Sequence, residues 1–335
     1  MTQLQCAVLG AGSFGTALAS VLLDNGHDVT LWCYEPGHAE EINAAGANTR
    51  FQKGHALPGI RATGRLDEAV AGKDLVLFVS PSHATRYVAR DVAAHLSDHV
   101  IIACATKGIE KSGETMAEVL LEELGEHRKA QMAFLSGPSF AFEVLERSPT
   151  AVVAASWDHD VAEQVQKAFA TSFFRVYTSE DVVGVELGGA VKNIIAIAAG
   201  ACDGLGFGHN ARAAIITRGL AEISRLGAAL GANPLTFMGL AGMGDLVLTC
   251  TGDLSRNRTV GKGLGAGMSL AEVTESLGGQ VAEGVLTTAS THALAAKLGL
   301  DLPIVAAVHA MLYDDRPAGD MVGALMGRPL KRETE

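Results

Sequence analysis

Lys192 is the residue whose surroundings point most directly to chemistry. It lies in an apolar segment, residues 185–195. On a helix the residues that share a face with it would be Gly188, Gly189, Ile195 and Ala196. None of these is charged, and we expect the two glycines to leave open space beside the amine. Removal from water lowers the pKa of a lysine toward neutrality, which suits it to proton transfer with a carbonyl oxygen. A lysine that extends from the helix into solvent is the alternative interpretation.

Two polar turns follow apolar runs of strand length. Lys107 lies in a Thr-Lys-Gly turn, and Gly137 and Ser139 lie in the turn formed by residues 136–140. Ligands of open α/β sheets bind in the crevice at the carboxyl ends of the strands, where these groups would stand. A solvent-facing lysine and a plain turn without a ligand remain the alternatives.

A third polar group lies further along the chain. Asp245 is a lone acid among small and apolar residues, and Ser255, Arg256 and Asn257 follow it closely. Planar arginine and asparagine donors suit a phosphate, and they are conspicuous in an acidic chain. A salt bridge within the loop would explain the basic residue nearly as well.

A glycine-rich loop opens the chain. Gly10, Gly12 and Gly15 form a G-x-G-x-x-G pattern between an apolar run and a helical segment, with Ser13 and Phe14 inside it. The first glycine permits the turn, the second lets the backbone approach a pyrophosphate, and the third brings the helix against the sheet. This context predicts a nicotinamide dinucleotide, NAD or NADP; a glycine turn without a ligand is the alternative.

The adenosine end of that site is less regular. Glu35 lies 20 residues after Gly15, where an acid can bind the 2′-hydroxyl of NAD. It could equally be a solvated carboxylate. No arginine occupies residues 33–35, so a 2′-phosphate would lack its usual partner there, and the pattern leans weakly to NAD.

The elements that must position these groups change character along the chain. Apolar runs alternate with helical segments through the first half, which predicts βαβ units and a parallel-rich sheet. The predicted strands are residues 5–9, 28–33, 74–80, 99–105, 131–136, 151–156 and 173–177. Beyond them the pattern is helical, apart from an ambiguous segment at 245–250. We therefore predict an α/β Rossmann-like dinucleotide-binding domain over 1–182, followed by an all-α substrate domain over 183–335.

Composition limits the functions that this chain could have. A net charge of −11 argues against nucleic acid and against an anionic membrane as partners. The five cysteines include no C-x-x-C pair, which favours a reducing, cytoplasmic compartment. Residues 7–23 lack a basic start and contain three glycines, so we expect no signal peptide and no membrane insertion. We predict no metal ion.

Taken together, these motifs resemble the NAD(P)-dependent glycerol-3-phosphate dehydrogenase family of the bacterial type, over nearly the whole chain. The matching segments are residues 10–15, 105–108, 136–140, 186–193, 242–245, 255–257 and 278–284. The resemblance implies a site in the cleft between a Rossmann domain and a helical domain. It also implies reversible hydride transfer between the cofactor and dihydroxyacetone phosphate, giving sn-glycerol 3-phosphate for phospholipid synthesis.

The resemblance further assigns roles to individual residues. Lys192 is similar to the general acid/base acting on the C2 oxygen, with Lys107 and Asp245 as its catalytic partners. Substrate contacts are implied for Lys107, Gly137, Ser139, Lys192, Asp245, Ser255, Arg256 and Asn257. Cofactor contacts are implied for Gly10, Gly12, Ser13, Phe14, Gly15, Tyr34, Lys107, Ala141, Arg256, Val281 and Glu283. Bacterial members often carry Arg or His where this chain has Tyr34, which leaves the choice between NAD and NADP open.

Two other interpretations share parts of this pattern. A β-hydroxyacid or 6-phosphogluconate-type dehydrogenase has the same two-domain layout. That family is associated with a Lys-x-x-Asn pattern, whereas Asn193 here follows Lys192 directly. A non-catalytic dinucleotide sensor would not need Lys192, Asp245 and the Ser-Arg-Asn cluster together. By analogy with the family, we expect a possible homodimer.

Overall fold

The first half of the chain forms one eight-stranded sheet. The computed structural model describes residues 2–52, 54–278, 282–330 and 332–333. The strands are β1 (Gln5–Leu9), β2 (Asp28–Trp32), β3 (Arg61–Thr63), β4 (Leu75–Phe78), β5 (Ile101–Cys104), β6 (Met132–Ser136), β7 (Thr150–Ala155) and β8 (Phe174–Ser179). Their spatial order is β3-β2-β1-β4-β5-β6-β7-β8, and only the β6–β7 pair is antiparallel.

The strand order creates a crevice at the carboxyl end of β1. From β1 the chain builds outward through β2 and β3, and it then returns to place β4 on the other side of β1. Ligands of open α/β sheets bind at such a reversal, outside the carboxyl ends of the strands. The glycine-rich loop follows β1 directly and therefore opens into this crevice.

Continuous apolar runs made most strands predictable. In β4 all four residues are buried, as expected for a strand covered by helices on both faces. The third strand, β3, was missed because its three residues include the exposed Arg61 and form no apolar run. The helices between the strands are α1 (Ser13–Asp24), α2 (His38–Ala45), α3 (Leu66–Val70), α4 (Ser82–Val92), α5 (Met116–Leu124), α6 (Ala141–Leu145) and α7 (His159–Phe169).

Helices alone follow the last strand in the part of the chain that the structure describes. They are α8 (Val182–Gly204), α9 (His209–Ala229), α10 (Asp245–Thr251), α11 (Arg256–Gly265), α12 (Leu270–Ser276), α13 (Glu283–Leu298), α14 (Pro303–Tyr313) and α15 (Ala318–Met326). The segment at 245–250 that was ambiguous in the sequence is helical. The predicted fold class, a parallel-rich Rossmann-like sheet followed by a helical region, is confirmed.

Helix α8 is the central helix of this second region. Among the described residues it is the one helix long and apolar enough to span a membrane, and 89% of its most apolar window is buried inside the protein. It contacts α11 at very short range: a Cβ atom on Gly200 would lie 2.0 Å from the Arg258 carbonyl oxygen. A Cβ on Gly261 would lie 1.9 Å from the Ile197 oxygen. The two helices therefore meet backbone to backbone, with no room for larger residues.

Candidate active site

Lys192 lies on α8 with its amine inside the protein. The side chain is almost fully buried, and its Nζ donates hydrogen bonds to the Asp245 carboxylate and to Thr249 Oγ1, the latter at 2.9 Å. The pKa of Lys192 is lowered to about 8, chiefly by burial and also by the nearby Lys107 ammonium, while Asp245 opposes both effects. An amine of this kind can both give and accept a proton near neutral pH.

Asp245 joins the two lysines that the sequence singled out. The residue is 1% exposed and begins α10. Its Oδ1 accepts from Lys192, and its Oδ2 accepts from Lys107 Nζ at 2.7 Å. The Lys107 amine also donates to the carbonyl oxygen of Gly137 at 3.0 Å. Three residues from distant parts of the chain thus form a single charged cluster with one carboxylate for two ammonium groups.

The expectation of open space beside the Lys192 amine was wrong in its detail. A Cβ atom on Gly188 would lie 2.4 Å from the carbonyl oxygen of Ala241, and one on Gly189 would lie 2.5 Å from Ser136 Oγ. These glycines therefore admit neighbouring protein atoms. Their contribution is to let β6 and the turn before α10 approach α8, which brings Lys107 and Asp245 to Lys192.

Thr249 and Asn193 belong to the site although the sequence analysis gave neither a role. Thr249 Oγ1 donates to the carbonyl oxygen of Asp245 at 2.6 Å, which leaves its lone pairs for Lys192. Aspartate and threonine four residues apart share a helix face, but this spacing carried no signal while 245–250 was ambiguous between strand and helix. Asn193 follows Lys192 in the chain, and in the sequence it served only to distinguish this pattern from the Lys-x-x-Asn pattern.

The Ser-Arg-Asn cluster forms the amino-terminal turn of α11. Ser255 caps the helix, because its Oγ accepts from the backbone N–H of Arg258 at 3.2 Å. Asn257 Nδ2 donates to Asn193 Oδ1 at 3.0 Å, and Asn257 Oδ1 accepts from the Gly284 N–H at 2.9 Å. This turn therefore lies directly beside the part of α8 that carries Lys192. A helix amino terminus with an arginine is well suited to an anion.

Arg256 lies in a crowded but accessible place. Its side chain is open to solvent, yet enough protein surrounds it that burial lowers its pKa, with Glu283 opposing this shift. Accessibility combined with crowding is typical of the wall of a cleft. Glu283 in turn accepts from Ser82 Oγ at 2.6 Å, and Ser82 begins α4 just after β4. Val281, the other predicted cofactor contact of this segment, lies outside the described residues.

The glycine-rich loop fits a dinucleotide pyrophosphate. Gly10 has a φ of +129°, which only glycine adopts readily, and a Cβ there would lie 2.9 Å from the Val79 carbonyl oxygen. A Cβ on Gly12 would meet no atom within 4 Å, so the space above it is open. No side chain caps the amino terminus of α1, whose free N–H groups face that space. Gly15 packs tightly, because a Cβ atom added to it would lie 1.9 Å from the Gly10 carbonyl oxygen.

This loop and the lysine cluster are in contact. Lys107 Nζ lies 5.5 Å from the centroid of the Phe14 ring, within the range of a cation–π interaction. Ser139 Oγ donates to the Gly137 oxygen, which also accepts from Lys107, and Ala141 begins α6 two residues later. The structure therefore brings the predicted cofactor loop and the predicted proton-transfer groups to one edge of the sheet.

The adenosine end of the loop is open. Tyr34 is 79% exposed, and Glu35 lies beside it with an Oε2 atom 3.5 Å from His38 Nδ1. Both follow β2 at its carboxyl end, as the sequence predicted.

Glu186 is a second buried carboxyl group on α8 that the sequence analysis did not single out. Its Oε1 accepts from the Ala117 N–H at 2.9 Å, while its Oε2 and Ser136 Oγ are buried without a hydrogen-bond partner. Both residues line a small cavity that also touches Lys107. Burial raises the pKa of Glu186 from 4.5 to about 8.

Glu186→Gln should flatten the pH dependence of stability. Because its pKa is raised, folded Glu186 keeps a proton that the unfolded chain releases above pH 4.5. Wild-type stability therefore falls as the pH rises from there to about 8, by at most about 1.4 kcal/mol per pH unit. Glutamine resembles the protonated acid and removes this loss. Urea unfolding at about pH 5 and about pH 9 measures it; an equal loss in both proteins would contradict the assignment.

Comparison with known proteins matches both halves of the chain to one family. The N-terminal model of the NAD-dependent glycerol-3-phosphate dehydrogenases matches residues 5–162, and the C-terminal model matches residues 181–323. The chain is 54% identical over 328 residues to the NAD(P)+ glycerol-3-phosphate dehydrogenase of Geobacter metallireducens, covering 97% of this chain and 98% of that one. It is 53% identical to the enzyme of the same name from Geobacter sulfurreducens, with the same coverage.

A solved structure agrees with this relationship. The crystal structure of glycerol-3-phosphate dehydrogenase from Coxiella burnetii superimposes with a TM-score of 0.93 at 42% identity, covering 97% of this chain and 99% of that one. Sequence and structure therefore match over both the sheet and the helical region. This chain belongs to the NAD-dependent glycerol-3-phosphate dehydrogenase family.

Proposed function

We propose that this protein interconverts dihydroxyacetone phosphate and sn-glycerol 3-phosphate, with NAD or NADP as the hydride carrier. The observation that carries the proposal is the Lys192–Asp245–Lys107 cluster, in which Lys192 and Asp245 are buried and Lys107 lies over Phe14 of the nucleotide loop. A dinucleotide sensor would need the loop alone. The cluster adds a proton donor and a fixed charge pattern where a carbonyl oxygen can be protonated.

Lys192 is the proposed general acid in the direction of reduction. A bound nicotinamide dinucleotide supplies the hydride that is added to C2. As C2 becomes tetrahedral, the Lys192 ammonium gives its proton to the C2 oxygen, and in the reverse direction the neutral amine takes that proton back. Thr249 and Asp245 hold the amine in place for this transfer.

Lys107 and the turn after β6 are proposed to hold the substrate hydroxyl end, through Gly137 and Ser139. Lys107 adds positive charge near the developing oxyanion, which lowers the cost of that charge in a site away from water. The negative charge of Asp245 offsets the repulsion between the two ammonium groups. The phosphate is assigned to Ser255, Arg256 and Asn257 at the amino terminus of α11.

The dinucleotide is proposed to lie over the glycine-rich loop. Its pyrophosphate would bind the backbone of the loop and α1, and its adenosine would extend toward Tyr34. The proposed contacts are Gly10, Gly12, Ser13, Phe14, Gly15, Tyr34, Lys107, Ala141, Arg256, Val281 and Glu283.

The organisation and setting of the protein are part of this proposal. We assign residues 1–182 to a dinucleotide-binding domain and 183–335 to a substrate domain, since the last strand ends at Ser179 and α8 begins at Val182. We propose a cytoplasmic, homodimeric enzyme that supplies glycerol phosphate for glycerophospholipid synthesis. The five cysteines are free and buried, which is compatible with a reducing compartment.

The test is a direct assay. Purified protein is mixed with dihydroxyacetone phosphate and with NADH or NADPH in separate runs, and loss of the reduced cofactor is followed by absorbance. Oxidation that depends on dihydroxyacetone phosphate supports the proposal. Absence of oxidation with both cofactors, in protein that binds them, would overturn it and direct attention to hydroxyacids.

Arg256→Ala should chiefly weaken binding of the substrate. Loss of a guanidinium that pairs with a phosphate dianion is expected to raise KM for dihydroxyacetone phosphate by about 10-fold or more, with a smaller change in kcat. Arg147→Ala is the matched control, because Arg147 is an exposed arginine paired with Asp24 at the far end of α1. An unchanged KM in Arg256→Ala would remove this residue from the phosphate site.

A further inference from the structure

Arg50 reaches the adenosine end of the nucleotide loop from a different part of the chain. No arginine stands in residues 33–35, where one would be sought from the sequence. The structure nevertheless places Arg50 Nη2 3.5 Å from the Pro36 carbonyl oxygen, and 3.9 Å from where a Cβ of Gly37 would lie. Pro36 and Gly37 follow Tyr34 and Glu35 directly. The guanidinium therefore lies beside the turn at the carboxyl end of β2.

Asn48 fixes this segment to the nucleotide loop. Its side chain is fully buried, and its Nδ2 donates to the carbonyl oxygen of Ala11 at 2.8 Å and to Thr16 Oγ1 at 2.7 Å. Its Oδ1 lies 3.0 Å from His38 Nε2 at the start of α2. One side chain thus ties the segment to the glycine-rich loop, to α1 and to α2. Arg50, two residues later, therefore belongs to a segment that is anchored to the proposed dinucleotide site.

The guanidinium is engaged by one carboxylate. Arg50 Nε and Nη2 donate to the two oxygens of Glu41 at 2.7 and 2.6 Å, and both side chains remain partly exposed. This bidentate pairing is also the one that arginine makes with a phosphate. Because Glu41 occupies the same donors, a phosphate could bind Arg50 only by displacing it. Glu35, on the neighbouring turn, adds a second negative charge.

We propose that Arg50 is the residue that binds the 2′-phosphate of NADP, in competition with Glu41, and that this pair sets the preference between NADP and NAD. The inference rests on the proposed function, whose dinucleotide it specifies. NAD carries a ribose hydroxyl at this position and does not need Arg50. NADP carries a dianion there and must take the guanidinium from Glu41, so the strength of the Arg50–Glu41 pair opposes NADP.

The proposal is tested by fluorescence titration of NADPH and NADH against the purified protein, which measures both Kd values without turnover. Arg50→Met should raise the Kd of NADPH by about 10-fold or more and that of NADH by less than about twofold. Glu41→Gln should do the opposite for NADPH, lowering its Kd severalfold, because the guanidinium is released. Raising the salt concentration should weaken NADPH more than NADH in the wild type.

Arg147→Met is the matched control. Arg147 also makes a two-point ion pair with a carboxylate, Asp24, but at the carboxyl end of α1. Removing it should leave both Kd values unchanged. Equal changes for NADPH and NADH in Arg50→Met, or no change in either, would overturn the proposal. Because binding is measured without dihydroxyacetone phosphate, this outcome is separate from failure of the proposed reaction.

Discussion

Lys192→Ala should lower the rate of dihydroxyacetone phosphate reduction by about 1,000-fold or more, within the range that general acid catalysis supplies. The variant loses the group that gives a proton to the C2 oxygen. Thr249 donates its own proton to the Asp245 carbonyl oxygen, and Lys107 is held by Asp245 and the Gly137 carbonyl oxygen. Steady-state kinetics measures the loss. Binding of NADH should stay nearly unchanged, because the Lys192 amine bonds to Asp245 and Thr249 and not to the nucleotide loop.

A second buried lysine provides the control for this experiment. Lys73 is also buried, and burial also lowers its pKa, but it donates to Thr30 Oγ1 and precedes β4 at the amino ends of the strands. Lys73→Ala should reduce stability without the loss of turnover. Near-normal turnover in Lys192→Ala, in folded protein that binds NADH, would exclude Lys192 as the general acid.

Asp245→Asn should lower kcat on the order of 100-fold or more, because it removes a buried carboxylate that orients a catalytic acid. It also leaves two ammonium groups close together without their counter-charge. Loss of Asp245 should lower the pKa of Lys192 below its present value of about 8, since Asp245 is the main group that raises it. Reduction needs the protonated amine, so the decline of its rate with rising pH should begin at a lower pH than in the wild type.

The pH profile separates this role from a purely structural one. Thr249→Val removes one hydrogen bond from Lys192 without changing the charge of the cluster. It should lower kcat modestly and keep the midpoint of the pH profile close to that of the wild type. A variant Asp245→Asn that loses activity with an unshifted midpoint would show that Asp245 acts through folding alone. Thermal unfolding of both variants serves as the check on the fold.

Sequence reasoning predicted the elements well where one signal dominated. The buried runs of the sheet and the apolar pattern of α8 each had a single interpretation, and the glycine-rich loop had the required strand before it and helix after it. Lys192 could be selected because a charge in an apolar helix is costly unless it has a partner. The identity of that partner was given by the family resemblance, since Asp245 lies 53 residues away along the chain.

What could not be predicted depends on contacts between distant segments. The segment at 245–250 is too short and too apolar for periodicity to separate strand from helix, so the shared face of Asp245 and Thr249 was hidden. Gly188 and Gly189 predicted open space beside the Lys192 amine, but the sequence does not say whether a ligand or another part of the protein fills that space. Arg50 lies beside the turn after β2 in a segment that folds back onto the nucleotide loop, where Asn48 donates to the Ala11 carbonyl oxygen, and the sequence gives no local signal for that contact.

The backbone contact between α8 and α11 has a consequence for which substrates the site accepts. Gly200 and Gly261 let the two helices touch without intervening side chains, so their separation cannot be adjusted by a change of rotamer. One helix carries Lys192, and the other begins at the proposed phosphate site. The pair of helices therefore fixes the distance between the proposed phosphate site and the Lys192 amine, which acts on the carbonyl oxygen. A ketose phosphate with one more carbon between its phosphate and its carbonyl would present the carbonyl out of reach of the amine, and selectivity for substrates with the two groups one carbon apart would follow from main-chain packing.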